Sequence, residues 1–188
     1  MLIAGVDSLL SVATIRELQD QGRILTSLNS NGFIPGEAAA SFVVRSQRST
    51  EDPAMLIQGL GFGIEKAKIN SGLPLRAEGL SNAISSSLLE TGCKLHELEY
   101  RMTDMTGEYY YFKEASLALS RTLKTVVPQF DILHPSECVG ETGAAAGHVM
   151  LCYQNYLSNR GMGDRVIAHF GDTDGKRSAV VLSFGAIR

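Results

Sequence analysis

The residues with chemical potential crowd into one stretch, His134-Pro135-Ser136-Glu137-Cys138-Val139-Gly140-Glu141-Thr142-Gly143, followed by Ala144-Ala145-Ala146-Gly147-His148. A thiol near a helix N-terminus ionises more readily and can act as a nucleophile, which makes Cys138 one candidate. The other use of such a cysteine is as a small inert core residue. His134, Glu137 and Glu141 are metal-ligand types, but Pro135 and Gly140 interrupt any shared helical register and no second cluster supports a metal. Gly140 and Gly143 permit backbone angles that a Cβ disfavours, so the loop can turn sharply and offer its N–H groups to a phosphate or a carbonyl. The lysine of a phosphate-binding loop is absent, and Glu141 has the wrong sign for an anion. Elsewhere Tyr109-Tyr110-Tyr111-Phe112 suits stacking on a ligand, packing or a subunit contact. His148 reads as a satisfied core histidine and His96 as a surface one.

A helix must position this stretch. From Ala144 the apolar positions fall on nearly every face, with Ala145, Val149, Cys152 and Tyr156 on one and Ala144, His148 and Leu151 beside it. A helix apolar all round is a buried one, so 143–158 is expected between two sheets, where alanine and glycine allow close backbone approach. The front of the chain supplies an apolar run at residues 1–6, read as a buried strand, and Asp7 or Ser8 to cap a helix ending near Gly22. A turn at Asn29-Ser30-Asn31-Gly32 precedes a second strand over 36–44, with Glu37 as a loop or hairpin residue. The polar segment Ser46 to Pro53 is the expected boundary between a unit 1–50 and a unit 51–188. The longer unit alternates: strand 55–64, helix 80–90, strand 98–103, helix 112–126, a strand at Ile132, the glycine loop with its helix, then strands 165–170 and 179–184 joined by a hairpin turn at 171–175. Such alternation predicts an α/β sheet with helices on both faces.

Composition narrows the function. With 188 residues, 44% of them hydrophobic, the chain can bury a sizeable core. A formal charge of −3 gives no electrostatic reason for nucleic acid or an anionic membrane as partner. Three cysteines without metal spacing argue against a disulfide framework and fit a reducing cytoplasm. No apolar run reaches membrane length, so a soluble chain is expected.

Four segments in order carry a family resemblance: Gly5-Val6-Asp7, Asn31-Gly32-Phe33-Ile34-Pro35-Gly36-Glu37-Ala38-Ala39, Gly140 to Gly147, and Phe170-Gly171-Asp172-Thr173-Asp174-Gly175. Together they resemble the later part of a β-ketoacyl-acyl carrier protein synthase of the thiolase-like superfamily, over nearly the whole chain. The resemblance implies an αβαβα fold of two similar halves, with this chain starting inside the first, an incomplete N-terminal half. It implies condensation of an acyl thioester with a malonyl thioester, no cofactor, and an acyl carrier protein or acyl-CoA thioester as partner, in a homo-oligomer or beside a ketosynthase. Gly140, Gly143, Phe170 and Gly171 then fall at substrate-binding positions.

The same resemblance places the nucleophilic cysteine upstream of Met1 and puts acids where the family has its two histidines: Asp104, in Tyr100-Arg101-Met102-Thr103-Asp104, and Glu141 after Gly140. A lysine of the family falls near Ser136. An imidazole N–H can donate to a developing enolate oxygen, whereas an ionised carboxylate repels it, so decarboxylative condensation is disfavoured unless burial keeps an acid protonated. Two readings of Asp104 and Glu141 stay open, a paired-carboxylate acid/base site or a relic pocket whose acids cap backbone N–H groups. The functional expectations are a ketosynthase-like protein inactive as this chain, a non-catalytic partner or carrier-binding module, or a separate enzyme using the carboxylates or Cys138. Strands 1–6 and 38–44 are also expected to leave apolar surface open, favouring self-association.

Overall fold

Short apolar alternation makes the front segment a hairpin-like pair. In a computed structural model, which describes residues 1–46 and 50–187, β1 (Leu2–Ser8) and β2 (Glu37–Val43) form an antiparallel two-stranded sheet with Leu2 opposite Val43 and Ser8 opposite Glu37. Between them lies α1 (Val12–Asp20). Its N-cap is Ser11, whose hydroxyl accepts from the Thr14 N–H at 3.1 Å, rather than Asp7 or Ser8. Asp7 is committed elsewhere, to the amides of Ser8 and Ala144, and Ser8 bonds Glu37 at 2.8 Å, which is why the cap moves downstream.

The longer segment builds a mixed five-stranded sheet in the order β3–β7–β6–β4–β5, from β3 (Thr50–Ile64), β4 (Arg101–Thr103), β5 (Ile132–Leu133), β6 (Arg165–Gly171) and β7 (Lys176–Ile187). β4 runs parallel to β5 and β6, and β7 is antiparallel to β6 and β3, so the expected terminal hairpin forms across Asp172 to Gly175. Residues 47–49 of the expected boundary at 46–53 lie outside the described residues.

Helices α2 (Glu78–Thr91) and α3 (Tyr109–Thr122) cover one face, with Leu80, Ile84, Leu88 and Ala118 packed on Ile167 and Val181. α3 starts earlier than expected, at Tyr109, and ends before Val126, which is 95% exposed. The approach of α2 to the sheet is set by Gly59, Gly61 and Gly63: a Cβ on each would strike the backbone oxygens of Ser87, Ala83 and Gly79. Two strand residues advance about 6.8 Å and four helix residues about 6 Å, so alternate glycines on β3 keep step with every fourth residue of α2.

A short α4 (Ser136–Val139) leads to a single 3₁₀ turn, Gly143–Ala145, which runs into α5 (Ala146–Ser158). This helix lies between the two sheets, as its composition predicts. Met150 and Leu157 join Met102, Val166, Ala168, Val180 and Leu182 on the five-stranded sheet. On the other side the His148 ring occupies the space a Cβ would need at Gly5 of β1, and the Cys152 thiol reaches the Ser41 carbonyl of β2 at 3.6 Å. Tyr153 and Tyr156 at its far end are exposed. Among the described residues no helix is long and apolar enough to cross a membrane.

Candidate active site

The front segment pins the glycine loop. Glu141 bridges to Pro35 in parallel, its N–H donating to Ile34 O at 2.8 Å and its carbonyl accepting from Gly36 N–H at 2.8 Å. Gly140 and Gly143 adopt φ of +76° and +54°, the left-handed region their lack of a Cβ allows, and at both positions neighbours from residues 7–36 fill the space beside the Cα. Two carboxylates meet the amides of the 3₁₀ turn that leads into α5: Asp7 Oδ2 accepts from Ala144 N–H and Glu141 Oε1 from Gly143 N–H, each at 2.8 Å.

Asp104 follows directly after β4, and its Oδ2 accepts from the Gly171 N–H at the end of β6, at 2.9 Å. The two acids therefore each hold a backbone N–H and also line one cavity of about 350 Å³, together with Gly143, Gly171 and Tyr111. Its apolar wall is Leu9, Leu18, Phe33 and Met105, drawn from both segments. Burial pushes the Asp104 carboxyl up to about 7, with Glu141 adding to the rise and the Gly171 N–H and Arg177 opposing it. Burial likewise raises Glu141, against the pull of the Gly143 N–H and Arg23. Near neutral pH the Asp104 carboxyl is in part a neutral acid and can donate a hydrogen bond.

Gly140 and Phe170 do not line this cavity; Gly140 borders a narrow gap beside it, and Phe170 rests on Gly147. Cys138 is neither core nor cavity residue but exposed on α4. Ser136 Oγ donates to the Met105 carbonyl. His134 Nε2 sits 3.3 Å from Glu137 Oε1 and edge-on to Phe112, while Glu141 turns away to Gly143. His148 is partly buried, Nδ1 3.2 Å from Ala144 O, and His96 is half-buried rather than a free surface residue.

Three features escape a reading of the sequence. Arg23 forms a two-pronged pair with Glu108 at 2.9 and 2.8 Å, tying the front segment to the start of α3 beside the cavity. Arg177 lies with both Glu114 oxygens at 2.9 Å, the pair almost wholly buried, and its other nitrogens hold Asp172 O, Lys176 O and the Tyr110 hydroxyl. The third is His169, 3% exposed on β6, which burial, Arg101 and Arg177 drive down to about 3. A charged residue at a core-facing position of α3, Glu114 beside Ala115 and Ala118, was the available signal for the second pair.

Solved structures match this arrangement of two sheets about a helix. A ketosynthase (ApeO) in complex with its chain length factor (ApeC) from Xenorhabdus doucetiae aligns at TM-score 0.75 and 16% identity, over 97% of this chain and 53% of that one. A β-ketoacyl synthase from Burkholderia phymatum aligns at 0.74 and 14%, over 100% and 55%. A type II polyketide ketosynthase bound to the hexaketide and in complex with its acyl-carrier protein aligns at 0.73 and 11%, over 100% and 56%. The fold is that of the thiolase-like β-ketoacyl synthases. Neither a protein-family model nor a curated protein sequence matches the chain. The chain spans about half the length of these ketosynthase-fold structures. Within that fold, no cysteine or histidine among the described residues lines the 350 Å³ cavity.

Proposed function

We propose that the chain binds an acyl thioester in the 350 Å³ cavity and meets its carbonyl with carboxylic acids, Asp104 and Glu141, without carrying out decarboxylative condensation. The observation that carries this reading is the cavity lining: two acids whose burial favours the neutral form, and neither thiol nor imidazole among the described residues. A neutral carboxyl donates to a thioester oxygen, whereas the negative charge of an enolate would have to form in a cavity also lined by Asp172, with Arg23 already paired to Glu108. The apolar wall suits an acyl chain. Arg23 also borders a neighbouring cavity of about 330 Å³ whose rim carries Lys68 and Lys113, in no ion pair among the described residues. That rim suits the phosphate of a pantetheine arm, so acyl-CoA or an acyl carrier protein is the proposed partner. Residues 1–50 and 51–188 are proposed as unequal parts of two related halves, the first contributing two strands and the second a whole sheet.

Calorimetry with a medium-chain acyl-CoA and a release assay for carbon dioxide from malonyl-CoA test this together. Binding without decarboxylation is expected, weakened about tenfold by Asp104→Ala, a loss of about 1.4 kcal/mol. Carbon dioxide release, or no binding, would refute it.

The second reading is a non-catalytic partner subunit of a ketosynthase, in a hetero- or homo-oligomer. It draws on the outer face of the β1–β2 sheet, where Leu2, Val6 and Val43 are 68%, 75% and 73% exposed, more apolar surface than an isolated chain usually leaves open. Co-purification with a ketosynthase or carrier protein would support it, and a stable monomer that binds neither would count against it.

A further inference from the structure

His169 has no part in the site as described, yet it sits against it. The β4–β6 register places it opposite Thr103, the neighbour of Asp104. A small space of about 10 Å³, room for one water molecule, is bounded by His169, Asp104, Tyr111, Glu114 and Arg177. His169 is 3% exposed, and its Nε2 is one of two buried side-chain nitrogens without a hydrogen-bond partner among the described residues. A buried donor left unpaired has lost its hydrogen bond to water without a replacement, so a polar occupant of the adjoining space is strongly favoured.

We propose that one water molecule fills this space, accepting from His169 Nε2–H and donating to the Asp104 carboxyl, which makes His169 the residue that positions the Asp104 acid for the main cavity. Asp104 Oδ2 already accepts from Gly171 N–H. A second donor to the same oxygen leaves the acid hydrogen on Oδ1, free to turn toward a bound carbonyl. The arrangement needs a neutral imidazole, because an imidazolium one water away would draw the proton off Asp104. Burial and the neighbouring Arg101 and Arg177 keep His169 neutral. Besides the Gly171 N–H, the other groups that act on Asp104 are Glu141 from the glycine loop, Tyr111 from α3 and Arg177 from β7, and none of these three supplies a neutral donor from the β6 side.

Two measurements on the full chain test this. A crystal structure fine enough to place waters is expected to show one peak within hydrogen-bond reach of His169 Nε2 and an Asp104 oxygen; a space without density overturns the proposal. Carbon-13 NMR titration of the Asp104 carboxyl should move upward by roughly one pH unit in His169→Leu, the size of a lost donor to a buried carboxylate. His169→Gln, whose amide donates, should bring the midpoint most of the way back to the parent value. Coincident midpoints in all three proteins overturn it. The role given to Asp104 rests on the thioester reading above, but the water and the titration do not. Thioester binding unaffected by Asp104→Ala, with water and shift both present in the other proteins, would remove that reading and leave the positioning of Asp104 standing.

Discussion

Replacing Asp104 with asparagine isolates the energetic consequence of the buried acid. The Asp104 pKa rises from 3.8 to about 7 in the folded chain. A raised carboxyl means that the native state holds its proton more tightly than the unfolded state. The stability linked to that proton is complete below pH 4, is lost at about 1.4 kcal/mol per pH unit between 4 and 7, and stays lost above 7. The integrated penalty is about 4 kcal/mol, which for a chain of this size corresponds to a midpoint shift of the order of 10 °C. The substituted amide keeps an oxygen for the Gly171 N–H without a charge to desolvate. Asp104→Asn should therefore match the parent at pH 4 and exceed it progressively up to pH 8, where the gain plateaus. Glu114, also raised by burial, adds pH dependence of the same sign to both proteins and cancels in the difference between the two curves, whereas Glu141, whose charge adds to the Asp104 rise, leaves its coupling to Asp104 within that difference. Urea unfolding from pH 4 to 9 reads this directly. A variant equally stable or less stable than the parent at pH 8, with parallel pH curves, would refute the reasoning.

Other perturbations follow from packing and pairing. Gly61→Ala drives a Cβ into the Ala83 carbonyl and should cost at least 1–3 kcal/mol by denaturant midpoint, since strand and helix must separate. Glu114→Ala strands the Arg177 guanidinium in the core and should cost about 3–5 kcal/mol, whereas Arg101→Met, which removes a buried cation with no carboxylate partner among the described residues, should be neutral or stabilising in the same assay. Light scattering at micromolar concentration should show self-association through the outer face of the β1–β2 sheet, relieved by Val6→Lys with Val43→Lys; a monomeric parent chain would contradict this.

The elements were legible where period and punctuation agreed. The apolar run at 165–170, the helical spacing of Leu80, Ala83, Ile84, Ser87 and Leu88, and the turn around Gly175 became the structures they predict, whereas the run at 1–6 formed its strand but not a buried one, since a two-stranded sheet covered by α5 on one face leaves Leu2 and Val6 68% and 75% exposed on the other. The alanine-rich helix went between two sheets because small residues let β1 and β6 approach it. Local signals failed where a distant partner competed. Asp7 reads as a helix cap, but the amide of Ala144 takes it and Ser11 caps instead. Tyr109 to Tyr111 precede the expected helix 112–126, yet they form the first turn of α3 with Tyr111 beside the cavity. That Asp104 and Glu141 share a cavity depends on β4, β6 and the glycine loop converging, and no local pattern encodes that. The Arg23–Glu108 and Arg177–Glu114 pairs span 85 and 63 residues, and His169 sits in a strand whose other inward residues are apolar.

A crystal of the full chain grown with a non-hydrolysable acyl-pantetheine tests the central claim most directly. The account predicts the acyl arm along Leu9, Leu18 and Phe33 with the carbonyl oxygen within hydrogen-bond distance of Asp104 or Glu141. An empty cavity at saturating ligand, or an arm seated elsewhere with both acids facing solvent, would contradict it.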